Sequence, residues 1–109
     1  MKILTKKKEE KILHEECWSL DYYLTKWLNT HLRVFLEDAS KMVKLEEHKF
    51  EYKGEEKNLV ELIHLLLVDT DILLENYYEC DDLDEYNELT DISDEVYDIM
   101  KMIHFYLWW

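Results

Sequence analysis

Leu20-Asp-Tyr-Tyr-Leu-Thr-Lys-Trp-Leu-Asn-Thr-His-Leu-Arg-Val-Phe-Leu-Glu-Asp-Ala-Ser-Lys-Met-Val43 is the stretch from which the fold class follows. Leu20, Leu24, Trp27, Leu28, Leu32, Phe35, Ala39 and Met42 step by three or four residues. That spacing places them on one face of a helix and leaves the charged residues on the other. Upstream, Leu13 and Cys17 keep the same rhythm. Residues from about Lys6 therefore form either an added turn or a separate short helix, with Ser19 as a candidate cap.

Two more long helices follow. Asn58 with Glu61 matches a capping box ahead of Leu59, Leu62, Ile63, Leu66, Leu73, Leu74 and Tyr77. Leu65, Leu67, Val68 and Ile72 make the other side of this helix apolar as well, so it is expected to be the most buried element, covered from more than one direction. A third helix is expected from about Asp82, whose pairing with Glu85 is a second capping candidate. Its seam is Tyr86, Leu89, Ser93, Val96, Met100, Ile103 and Leu107. Ser93 is placed where a second cap, and hence a kink, would fall. Between the first two helices, residues 44 to 57 break the period and hold the lone glycine, Gly54. They read as the main loop, inside which His48, Phe50 and Tyr52 alternate with charges as in a short extended piece.

Composition agrees with helices. The chain has 109 residues, no proline and one glycine, so the punctuation that tight hairpins need is almost missing. At 48% hydrophobic residues it is too apolar for disorder, and its length fits one core. The expected class is all-α, a small helical bundle forming a single acidic domain. Apolar runs such as Leu65 to Val68 fall far short of the roughly 18 residues of a membrane span. The lysine-bearing start lacks a signal-like apolar stretch, which argues for a cytoplasmic location. In that setting Cys17 and Cys80 are expected to be free thiols.

The charge is unevenly placed. Residues 1 to 57 hold 12 of the 13 Lys and Arg and 12 of the 26 acids, whereas from residue 58 onward 14 acids face Lys101 alone. The whole net charge of -13 thus belongs to the second half. Asp84, Glu88, Asp91, Glu95 and Asp98 step by four and three along the third helix and form an acidic ridge. Such a ridge either solvates the protein or receives a basic protein surface, and it disfavours nucleic acid as a direct ligand. The aromatic end, Phe105-Tyr-Leu-Trp108-Trp109, has too many large side chains for one helical face. It either folds back over Trp18, Tyr22 or Tyr23, or it makes a homodimer or partner contact through Trp108 and Trp109.

Catalytic chemistry has little support in the sequence. His14-Glu15-Glu16 with Asp21, and His64 with Asp69 and Asp71, bring metal-ligating types together, but no His-x-x-x-His, Glu-x-x-His or cysteine cluster accompanies them. Glu85-x-x-Glu88 and Glu95-x-x-Asp98 resemble the carboxylate pairs of all-α nucleotide pyrophosphatases, except that both lie on one helix. No glycine-rich phosphate loop or nucleophile elbow is present. No metal site, cofactor or catalytic residue is expected.

The stretch from Cys17 to Phe35, with its Trp18-x-x-Asp21-Tyr22 helix opening, resembles the start of a family of small uncharacterised phage and prophage proteins. The closing Phe105-Tyr-Leu-Trp-Trp is similar to that family's aromatic end. The resemblance implies a phage origin and no particular mechanism. With the ridge, it leads to the expectation of a non-catalytic binding protein, a stoichiometric inhibitor of a host or anti-phage defence protein, CRISPR effectors included. The alternatives are a protein that sequesters a nucleotide signal, with Lys26, Arg33, Lys41 and Lys44 as its cationic supply, and a metal-dependent helical hydrolase.

Overall fold

A computed structural model describes residues 19–76 and 82–108 of the chain. The described part is mostly helical: α1 spans Leu20–Ala39, α2 Leu59–Glu75 and α3 Leu83–Ile103. Short 3-10 turns, Leu45–Glu47 and His104–Tyr106, follow α1's exit and α3's end. The expected bundle of three long helices is present, joined by an element that the helical period did not announce. The proposed turn or helix from about Lys6 lies outside the described residues, as do Cys17 and Cys80.

That extra element is a β-hairpin where the main loop was expected. β1 (Lys49–Tyr52) pairs antiparallel with β2 (Glu55–Asn58), with Phe50 opposite Lys57 and Tyr52 opposite Glu55. The turn residues Lys53 and Gly54 both take positive φ, 51° and 78°. Two such residues in a two-residue turn match the right-handed twist of the strands. The alternation of His48, Phe50 and Tyr52 with charges is therefore the period of a strand, with Phe50 and Tyr52 turned to the core.

The caps follow the sequence closely. Asn58 accepts from the Glu61 backbone N–H at 2.9 Å while Glu61 reaches back to the Asn58 N–H at 3.1 Å, a full capping box. Asp82 accepts from the Glu85 N–H at 2.8 Å. Ser19 precedes α1 but sits at φ 54°, and its side chain does not cap. α3 runs unbroken past Ser93. α1 stops at Ala39, earlier than Val43, and beyond it the Lys41 and Met42 N–H groups bond the carbonyls three residues back, of Asp38 and Ala39, in place of the α-helical pattern.

α2 lies in the middle, packed by α1 on one flank and α3 on the other. Leu59, Leu62, Ile63, Leu66 and Leu67 are buried, together with Leu32 and Ala39 of α1, Leu45, and Val96, Ile99 and Ile103 of α3. Asn29 of α1 bonds Thr70, and α1 runs antiparallel to α2, so the part of α1 near Leu20 extends past the end of α2 at Glu75. Leu20, Tyr23 and Leu24 are exposed, although the helical period assigns Leu20 and Leu24 to the core. Trp27, also assigned there, is 58% exposed and stacks on His31 of its own helix at 4.0 Å.

Replacing Leu66, which is fully enclosed, with Ala should lower unfolding free energy by about 2–5 kcal/mol in denaturant titrations. Val34→Ala, on the open side of α1, should change it by no more than about 0.5 kcal/mol.

Candidate functional site

The acidic residues of α3 do not form one surface. Asp84, Glu88, Asp91 and Asp98 are exposed, joined by Asp94, and none of the five makes an ion pair with a described residue. Glu95 is different, with a side chain only 21% exposed. Its Oε2 accepts from the Tyr52 hydroxyl and from the Lys53 ammonium, each at 2.8 Å. The hairpin therefore reaches over to α3 and takes Glu95 out of the ridge, leaving four of the five expected residues on the outer face.

Behind Glu95 lies Asp69 of α2, 6% exposed, whose Oδ2 is buried without a hydrogen-bond partner among the described residues. Two carboxyl groups facing each other at the α2–α3 contact cannot both ionise without strong repulsion. Burial pushes Asp69 up to about 7, and its hydrogen bond to Glu95 and the charge of Glu95 add to the rise. Glu95 is held well below the usual carboxylate range, first by the bond from Asp69 and then by that from Lys53. The proton therefore resides on Asp69 and the negative charge on Glu95. Burial, reinforced by Glu95, also raises the Tyr52 phenol, and the bond to Glu95 raises Lys53.

A second polar contact pins α1 to the other flank of α2. Buried Asn29 donates to the Thr70 hydroxyl at 2.7 Å and to Asp71 at 3.0 Å, and it accepts from Arg33 Nε at 3.0 Å. Arg33 Nη2 donates to both oxygens of Asp71, at 2.7 and 2.8 Å. A buried amide with so many bonds resists sliding of one helix along the other, since any slip leaves it unpaired. Arg33 is thereby committed to a protein carboxylate. Nothing in the sequence period marks Asn29, which stands between Leu28 and Thr30-His31.

The grouping of His64, Asp69 and Asp71 does not assemble. Asp69 faces Glu95, Asp71 faces Arg33, and His64 is exposed. Among the described residues, no group of three or more His, Cys, Asp or Glu side chains is placed to hold a metal ion. No described helix is long and apolar enough to cross a membrane.

The aromatic end splits as well. Tyr106 packs edge-on against Phe50 at 4.9 Å and His48 at 5.2 Å, so the end of the chain folds onto the hairpin. Leu107 packs on the core, while Phe105 and Trp108 are exposed, Trp108 by 72%. Trp109 and Trp18 lie outside the described residues.

No protein-family model, no curated protein and no solved structure matches this chain.

The different placement of Glu88 and Glu95 has a direct test. Glu95→Lys would set a second ammonium beside Lys53 and leave buried Asp69 without its acceptor, at a cost on the order of 3 kcal/mol. Glu88→Lys should leave stability within about 0.5 kcal/mol of wild type, or raise it slightly by relieving like charges. Thermal or denaturant unfolding followed by circular dichroism distinguishes the two.

Proposed function

We propose that this chain is a non-catalytic binding protein that receives a basic protein surface on the outer face of α3. The observation that carries the reading is the set Asp84, Glu88, Asp91 and Asp98, exposed on one helix without a cationic partner among the described residues. Like charges held this close on a helix cost stability, and a field of one sign raises association rates with an oppositely charged partner. Exposed Trp108 lies beyond the C-terminal end of the same helix and supplies an aromatic side chain of the kind that anchors binding hot spots. With the phage origin that the resemblance of residues 17–35 and 105–109 implies, the partner proposed for this surface is a host or defence protein that the chain inhibits stoichiometrically. Effectors that bind nucleic acid through basic channels suit such a surface.

Capture from infected cells, followed by kinetics with the purified partner, tests this reading. Reversing Asp84, Glu88, Asp91 and Asp98 to Lys should abolish binding while circular dichroism stays native. Association of the wild type should slow steeply with added salt, because steering is screened over about 8 Å at physiological ionic strength. Reversal of Glu37 and Asp38 on α1 is the control and should matter much less. Unchanged affinity and salt dependence in the α3 variant would show that the acidic face only solvates the protein.

A further inference from the structure

The junction of Asp69, Glu95, Tyr52 and Lys53 is built differently from a surface ion pair. Every donor that reaches it from the hairpin, the Tyr52 hydroxyl and the Lys53 ammonium, is directed at Glu95. Asp69 receives none of them, and its Oδ2 is enclosed with no hydrogen-bond partner among the described residues. A carboxyl group in that position meets a neighbouring carboxylate favourably only by donating its own proton. Lys53 is the first residue of the hairpin turn, at the left-handed φ of 51° which that turn requires. From that position its ammonium reaches Glu95 and lies 5.3 Å from the centre of the Tyr52 ring.

We infer that Asp69 and Glu95 form a proton-operated latch that fastens the 49–58 hairpin to the α2–α3 contact. With Asp69 neutral, its O–H donates to Glu95 and holds that carboxylate in place to accept from Tyr52 and Lys53. Loss of the proton sets two carboxylates against each other inside the contact. Glu95 is then repelled, and the bonds that tie the hairpin to α3 weaken. The groups facing Asp69 are Glu95 from α3 and Lys53 from the hairpin, with Tyr52 on Glu95. From α1, Arg33 turns to Asp71 instead. Among the described residues Lys53 is the single cation at the junction, and it is already bonded to Glu95, so it offsets only one of the two charges.

The sign of the pH effect follows from where the proton sits. An unfolded chain releases it near the ordinary value of 3.8, whereas burial in the native state retains it up to about 7. Between those values native Asp69 binds more protons than the unfolded chain does there, so Asp69 makes stability fall as pH rises through the window and level off above it, while the lowered Glu95 acts with the opposite sign only below about 4.5. Asp69→Asn keeps the shape and supplies an N–H donor to Glu95 that cannot be lost.

Unfolding by denaturant across about pH 5 to 8, alongside hydrogen exchange of the Phe50, Tyr52 and Lys57 amides, which the register places in hydrogen-bonded pairs, corrected for intrinsic rate, tests the latch. In wild type, stability should decline over this range and hairpin exchange should rise by about tenfold or more. Asp69→Asn should flatten both. If that variant fails to fold, the wild type still decides the matter: the Asp69 carboxyl carbon resonance should titrate near neutrality, with the hairpin amides shifting at the same midpoint. A carboxyl that ionises in the ordinary range overturns the inference, and so does a hairpin whose exchange ignores Asp69.

Discussion

Residues Leu59, Leu62, Ile63, Leu66, Leu67, Asp69 and Thr70 spread buried positions over an arc of α2 too wide for one neighbouring helix to cover. Two helices must flank it, and the architecture follows from that demand. α1 and α3 each bury one apolar stripe against α2 and leave the opposite face in water. The shortest dimension of the molecule is 19 Å, too thin for helices stacked in more than two layers. The hairpin and the 3-10 turn at Leu45–Glu47 close the end of the core that the helices leave open, with Leu45 fully enclosed.

The polar residues inside this arc sit where the flanking helices meet it. Thr70, with Asp71 beside it, binds Asn29 and Arg33 and sets the register of α1. Asp69 meets Glu95 and sets that of α3. Apolar contacts alone tolerate sliding, whereas a buried amide or a shared proton has one good position. The consequence for the surface lies on α3. One carboxylate of an otherwise regular acidic stripe is drawn inward and compensated, and its neighbours stay in water without an ion-pair partner among the described residues.

Much of this was legible in the residues. The three-and-four spacing located all three helices, the Asn58–Glu61 pair marked the start of α2, and its two-sided apolar pattern marked it as the central element. What escaped had specific causes. The hairpin turn is Lys53-Gly54, lacking the Asn or Asp that usually announces two left-handed residues in succession, so its flanking alternation read as loop. Glu95 has the spacing of the ridge and leaves it only because the hairpin arrives beside it, a contact between positions far apart in sequence. Leu20 satisfies the helical period but outruns α2, and period alone does not report where the neighbouring helix ends. Tyr106 turned to Phe50 and His48, partners that exist only once the hairpin has formed.

The central claim is that α2 is the common core on which α1 and α3 dock separately. Residue-resolved native-state hydrogen exchange tests it most directly, because it ranks segments by the free energy at which they open. Amides from Leu62 to Thr70 should exchange only through global unfolding, while those of the first turns of α1 and α3, near Leu24 and Tyr86, should open at distinctly lower free energy. Equal protection of those outer turns, or exchange from α2 ahead of either flanking helix, would contradict the account.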